Sequence, residues 1–376
     1  MWRSAPTPKP LYGDEEDFFA LKSILSDAHR CGHCANHGFE RPQVNLHQFE
    51  HRLHLEKLKA LTSEHLARTD PLTLVIGGVS FGGAGKSQVV LHIAENLLCL
   101  GLGQICILGH GYKGKVSRLK ARIVNLGESN AIQQFGDEAV MMSRRLGDQV
   151  PIIVGGNWRD RWNFAVDLGA KMIISDGGLY TANLPRHISL TVLSSSQRER
   201  LFPFGDLTRP PSKWIHGPQT WRWTISSPQK LLHEDSHLKI LDLDSKAETL
   251  KEYGSYELFS QTRLCHFEDA DGRLHPSNWD FINRQKRFGV ISAIANPNRI
   301  TKHLELLNIH IERTVFLKDH SLIPTNLQDL VRRDGDFFWI TTEKDRMKFP
   351  IPPSNLITSI LTLEPLPKKV DDQKFF

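Results

Sequence analysis

Cysteine is scarce in this chain, five among 376 residues. So low and odd a number argues against a disulfide framework and for a reducing compartment. Long apolar runs are missing too: no uncharged stretch reaches the roughly 20 residues that cross a bilayer. The polar opening, MWRSAPTPKPLYGDEEDFF, lacks the apolar segment of a secretory signal. Internal repeats, low-complexity tracts and nucleic-acid-binding motifs are also absent. These absences leave a soluble, cytoplasmic protein as the expectation. The formal charge of +5 suits an anionic ligand or membrane surface, and equally a solvated basic face.

What is present is an alternation of short apolar runs with amphipathic segments. LTLVIGG (72–78), QICILG (104–109), VPIIVGG (150–156), AKMIISDGG (170–178) and HISLTVLS (187–194) read as strands. Helices are expected over 86–101, around 136–147 and near 159–169. Such alternation produces βαβ units and an α/β fold with a mostly parallel sheet. Beyond a Pro- and Trp-containing stretch (203–223) a second, shorter series follows. Its strands are expected at 287–295, 310–317 and 337–344, and its helices at 300–308 and 325–335. The expected division is a nucleotide-binding core at 71–225 and a smaller α/β domain at 226–376. Residues 1–70 form a polar, His/Cys-containing lead.

The first strand runs into GGVSFGGAGKSQ (77–88), which ends in Gly85-Lys86-Ser87 like a P-loop. The common spacing G-x-x-x-x-G-K-S/T would place a glycine where Ser80 stands. The context is nevertheless that of a phosphate loop, after a hydrophobic strand and at a helix start, so the core is expected to be P-loop NTPase-like. Backbone N–H groups of Gly82, Gly83 and Gly85 and the helix dipole would cradle phosphates. Lys86 would reach the β/γ-phosphates of ATP, and the Ser87 hydroxyl would bind Mg²⁺. The alternative is a Gly-rich turn with a solvated lysine.

Other segments carry chemistry less specifically. KMIISD (171–176) ends a strand in Asp176, where P-loop enzymes keep a carboxylate beside Mg²⁺. Gly136-Asp137-Glu138 opens a helix, whose dipole alone would favour the acids. Asp319-His320 follows a strand, as catalytic pairs and ordinary surface turns both do. TTEKD (341–345) reads as a helix cap, Thr342 with Asp345. The basic run KGKVSRLKAR (113–122) suits an anionic substrate or a solvated face. Cys31-x-x-Cys34, with His29, His33 and His37, offers zinc ligand types, but without a second C-x-x-C free thiols are the simpler expectation.

In order, these segments resemble the lipid A 4′-kinases (tetraacyldisaccharide 4′-kinases). GGVSFGGAGKSQ is similar to that family's G-N-x-T-x-G-G-x-G-K-T-P loop, with Ser80 at the hydroxyl position. GHGYKGK (109–115) resembles S-R-G-Y-x-G, GDEA (136–139) G-D-E-P, and SDGGLYT (175–181) T-D-D-G-L-Q-H. LFPFGDLTRP (201–210), AIANPNRI (293–300), DHS (319–321) and TTEKDRMK (341–348) resemble L-L-P-A-G-P-L-R-E-P, G-I-G-N-P-x-R-F, D-H-H and M-T-E-K-D-A-V-K. The likeness is colinear from about 72 to 350.

The resemblance implies an ATP- and Mg²⁺-dependent kinase that phosphorylates the 4′-hydroxyl of a lipid A precursor disaccharide 1-phosphate, giving lipid IVA. It implies work at the cytoplasmic face of the inner membrane, with peripheral contact to anionic lipid. By the same likeness Lys86 and Ser87 hold phosphates and metal, Asp176 assists the metal, and Asp137 accepts the hydroxyl proton in concert with His320. Tyr112 and Glu138 would face substrate, and closure of the second domain would assemble the pair. Departures stand beside these matches. The family's second aspartate is Gly177 here, its Gln-His is Tyr180-Thr181, its Arg-Glu is Thr208-Arg209, and its Ser-Arg is Gly109-His110. The apolar N-terminal helix of typical members has no counterpart in 1–70. A kinase of another hydroxyl acceptor, or a degenerate nucleotide-binding paralogue, therefore remains as the alternative.

Overall fold

The computed structural model describes residues 70–80, 83–118, 120–181, 184–195, 220–226, 256–279 and 287–365, with single positions at 201, 204, 207, 208 and 282. Cys31, Cys34 and the rest of the 1–69 lead, together with Gly82 and Arg209, lie outside them. The chain begins with β1 (Leu72–Gly78), α1 (Lys86–Cys99), β2 (Ile105–Leu108), β3 (Arg122–Ile123), α2 (Ala131–Phe135) and α3 (Asp137–Leu146). It continues with β4 (Ile152–Val154), α4 (Trp158–Asp167), β5 (Met172–Asp176), β6 (Ile188–Ser194), β7 (Thr220–Ser226), β8 (Tyr256–Glu268) and β9 (Leu274–Pro276). The last series is β10 (Phe288–Ser292), α5 (Asn298–Leu306), β11 (Ile311–Phe316), α6 (Thr325–Arg333), β12 (Phe338–Thr342), α7 (Glu343–Arg346) and β13 (Leu356–Pro365).

Among the described residues the strands form one sheet, in the order β11-β10-β12-β13-β8-β7-β6-β1-β5-β2-β4-β3, with β9 paired to β8. The expected strands and helices all form, with ends shifted by a few residues. Strands β7, β8 and β13 were not expected from the apolar pattern, and they join the two series. β8, YELFSQTRLCHFE, mixes polar and apolar residues without a clean period, so its pairing partners decide its conformation. The expected division at 225/226 falls inside β7, before its last residue, and β7 pairs in parallel with β8 from Trp221↔Tyr256 to Ser226↔Gln261.

The continuous apolar runs are explained by cover on both faces. Leu72, Leu74 and Ile76 of β1 enter one core with α1 and α3, while Val75 enters another with Trp162 and Ala165 of α4. In the second series Ile300 and Leu304 of α5 pack on one face and Val331 of α6 on the other.

Strand direction sets where the loops meet. β6, β7 and β8 run parallel to β1, but β13 pairs antiparallel to β8, and β12, β10 and β11 follow β13 in parallel. On a flat sheet the carboxyl ends of β1 and β10 would lie on opposite edges. Twist of about 20–25° per strand accumulates between them, and β13 carries an irregularity between Ile360 and Leu361. The two sets of carboxyl ends thereby face each other.

Two buried charges fasten that arrangement. Arg145 of α3 reaches Glu95 of α1 at 2.6 Å, Glu343 of α7 at 3.0 Å and the Leu361 carbonyl of β13 at 3.0 Å. Asp345, wholly inaccessible, accepts from Ser292 Oγ at 2.9 Å, the Ala293 N–H at 2.8 Å and Thr342 Oγ1 at 2.9 Å, and pairs with Lys348 at 2.7 Å. Losing one partner of such a buried pair strands the other. We therefore predict that Asp345→Ala lowers the unfolding free energy by about 3–5 kcal/mol, measured by urea denaturation. A loss below about 1 kcal/mol, the worth of an exposed pair, would overturn this account.

Candidate active site

The phosphate loop forms as its sequence suggests. β1 ends at Gly78, and α1 starts after Gly85, leaving the first N–H groups of a long helix free to meet an anion. The Lys86 ammonium folds back over the end of β1, where Gly78 leaves it room. Ser80 bridges to Leu207, and Thr208 donates from both N–H and hydroxyl to the Val79 carbonyl at 2.7 and 2.8 Å. The family's arginine position is thus spent on supporting the loop's backbone. Gly83 presents its carbonyl to the Arg299 guanidinium at 3.2 Å, a contact from the second series.

Ser87 Oγ donates to Asp176 Oδ2 at 3.1 Å, so loop hydroxyl and strand-end carboxylate meet. Burial, and then the nearby Glu138 carboxylate, raise the Asp176 pKa to about 6. Two hard oxygens converging on a buried, ill-compensated negative charge are the donor chemistry of Mg²⁺. The residues fit that ion. Among the described residues no cluster of three His, Cys, Asp or Glu could hold a metal by itself, so further ligands would be phosphate oxygens or water.

Asp137 stands at the first position of α3. Gly136 before it has φ 89°, and a Cβ there would lie 2.6 Å from the Tyr112 carbonyl. Only glycine permits this turn and lets the 109–114 loop lie directly on the helix start. Asp137 Oδ1 accepts from its neighbour's N–H (Glu138) at 2.9 Å and meets His320 Nδ1 at 2.9 Å. His320 sits at φ 58°, held by its N–H to the Ala293 carbonyl at 3.1 Å. The exposed Tyr112 ring meets the imidazole edge-on, with centroids 4.9 Å apart.

Sequence reasoning did not single out two lysines that the structure brings here. Lys344 Nζ lies 3.1 Å from Asp319, 3.4 Å from Glu138 and 3.7 Å from Asp137, and Lys348 Nζ lies 3.5 Å from Asp137. Both come from TTEKDRMK, whose reading as a helix cap is also correct: Thr342 Oγ1 accepts from the Asp345 N–H at 3.1 Å. Burial alone would raise the Asp137 pKa, but the His320 hydrogen bond and the two ammonium groups hold it below the usual carboxylate value.

The family described as LpxK, tetraacyldisaccharide-1-P 4′-kinase, matches residues 49–375. The chain belongs to the tetraacyldisaccharide 4′-kinase family. A tetraacyldisaccharide 4′-kinase of Alcanivorax borkumensis is 24% identical over 313 residues, covering 82% of this chain and 83% of that one. One from Colwellia psychrerythraea is 27% identical over 277 residues, 73% of each chain. The crystal structure of LpxK from Aquifex aeolicus in complex with ATP aligns with TM-score 0.57 and 20% identity, over 85% of this chain and 92% of that one. That last likeness is one of fold.

Within the family, Gly177 is the sharpest departure. It has φ 114°, and a Cβ there would stand 3.2 Å from the Trp158 ring and 3.7 Å from His110. Trp158 is itself covered by the Arg161 guanidinium, 3.9 Å from its centroid. Trp158 and His110 thus fill the space beside this glycine. We predict that Gly177→Asp costs about 1–3 kcal/mol through its backbone conformation alone, read as a lowered thermal midpoint. An unchanged or raised midpoint would show that the loop relaxes and that Gly177 is not required.

Proposed function

We propose that this protein transfers the γ-phosphate of ATP to the 4′-hydroxyl of a tetraacyldisaccharide 1-phosphate, the lipid A precursor, giving lipid IVA. The observation that carries the reading is the Asp137–His320 contact beside a phosphate loop whose serine meets Asp176. Phosphoryl transfer has a loose transition state, and its catalysis is mainly positioning and neutralisation of charge. An aspartate with a lowered pKa is a weak base, yet it is well suited to orient a sugar hydroxyl and to take its proton late. Asp137 is given that role, with His320 fixing its direction.

Lys86 and the N–H groups at the start of α1 bind the phosphates, while Ser87 and Asp176 would hold Mg²⁺. The ion would supply neutralisation of phosphate charge. Glu138 and Tyr112 line the acceptor side. No helix among the described residues is long and apolar enough to cross a membrane. We place the encounter with a lipid acceptor at the cytoplasmic face of the inner membrane, through peripheral contact.

Incubation with Mg-ATP and tetraacyldisaccharide 1-phosphate is expected to give the 4′-phosphate. Asp137→Ala should lower kcat by about 10²–10⁴-fold while an ATP-induced thermal shift persists. Binding of ATP without transfer to this acceptor would leave a kinase of another alcohol, and no thermal shift at all would remove both readings. A second expectation concerns pH. A raised Asp176 pKa of about 6 means that protons compete with the cation below that value. Affinity for Mg-ATP, measured by calorimetry, should be full near pH 7.5 and fall as pH drops through 6. Asp176→Asn should bind weakly with a flatter profile, and an equally steep profile in that variant would refute the assignment.

A further inference from the structure

The ammonium of Lys344 has three protons, and three acceptors lie within 3.5 Å of it. They are Asp319 Oδ1 at 3.1 Å, His320 Nε2 at 3.3 Å and Glu138 Oε1 at 3.4 Å. The side chain is only 11% exposed, so these groups, and not water, satisfy it. An ammonium donates and never accepts. Its contact with Nε2 is therefore attractive only when that nitrogen carries no proton. The neutral imidazole then bears its proton on Nδ1, the atom facing Asp137 at 2.9 and 3.1 Å.

We propose that Lys344 is a positioning residue that fixes the His320 tautomer, so that Nδ1–H donates to Asp137 and the carboxylate alone remains to accept the acceptor's hydroxyl proton. The proposal rests on the kinase reading for its function but not for its geometry. The groups facing His320 are Asp137 from α3, Asp319 from its own loop, Tyr112 from the 109–114 loop and Lys344 from α7. Without Lys344, Asp319 Oδ2 at 3.5 Å would draw a proton onto Nε2. The ring would then donate from Nε2 to Asp319 and turn a bare Nδ1 toward Asp137. Burial opposes charge on Lys344, but Glu138, Asp137 and Asp319 hold its pKa above the ordinary value, so the ammonium persists across the neutral range.

The placement also links the two strand series. Lys344 follows β12 directly, whereas Asp137 opens α3 in the first series. Any movement that separates the series carries Lys344 and His320 together away from Asp137.

The test is ¹⁵N NMR of the full chain labelled at histidine, with His320 assigned by its absence from His320→Asn. The unmodified protein at pH 7 should show a protonated Nδ1 and an unprotonated Nε2; an imidazolium or the opposite tautomer overturns the proposal, whether or not any acceptor is phosphorylated. In Lys344→Met the Nε2 signal should move to the protonated position. There kcat at pH 7 should fall roughly tenfold or more with the ATP KM within about twofold. Lys344→Gln, which still offers a donor to Nε2, should keep the native tautomer. If Lys344→Met folds and keeps both tautomer and kcat, Lys344 merely packs there. Failure of transfer with the native tautomer intact would count against the kinase reading and leave this one standing.

Discussion

A closed circuit through the buried Asp345 carboxylate governs the rest of the structure. Asp345 takes the Ala293 N–H, and the Ala293 carbonyl takes the N–H of His320. His320 Nδ1 meets Asp137, Asp137 lies beside Lys348, and Lys348 returns to Asp345 at 2.7 Å. Each link satisfies a group that would otherwise be buried at a cost of several kcal/mol. The circuit ties the ends of β10, β11 and β12 to the start of α3. His320 keeps a left-handed backbone because two hydrogen bonds specify it from both sides, and a site that must orient one carboxylate is made from bonds that also hold the fold.

The same neighbours separate the site's two main carboxylates in their acid strength. Asp137 is surrounded by donors and cations, so it stays ionised and is poorly basic. Asp176 has burial and the Glu138 carboxylate against it, and its pKa rises to about 6. Their chemistries follow from the environments. A carboxylate whose charge is already balanced can orient a neutral hydroxyl without attracting a cation. One whose charge is unbalanced is completed by a cation, and Ser87 stands beside it to share the load. Glu138 belongs to both, pairing with Lys344 at 3.4 Å while disfavouring charge on Asp176.

Much of this was legible in the residues, and what was not has physical causes. Apolar runs covered on both faces announce themselves, so β1, β5 and β10 could be read directly, as could the loop at Gly85-Lys86-Ser87. The motif order brought Asp137 and His320 forward although 183 positions separate them. Strands β7, β8 and β13 stayed hidden because their mixed patterns take meaning only from their partners. Lys344 and Lys348 stayed hidden for another reason. A lysine two residues past a strand reads as solvated, and nothing local reveals that the sheet reverses direction and twists until that strand end meets α3. The capping reading of Thr342 was sound but incomplete, because the cap also fixes the carboxylate that anchors the circuit.

Gly177 looked from the sequence like a missing acid, and the fold gives it a different meaning. At φ 114° beside the Trp158 ring, the position is built around glycine and its neighbours, with His110 close enough to complete the packing. His110 is itself a departure, standing where the family has arginine; its pKa is lowered chiefly by burial and then by the Arg161 charge. A histidine, an aromatic ring and a glycine thus pack together at this turn. Mg²⁺ is commonly held by one or two carboxylates together with phosphate oxygens and water, so the proposed site at Asp176 and Ser87 would not need a second aspartate. Gly177 is therefore part of a packed turn, and the proposed cation site does not depend on a carboxylate there.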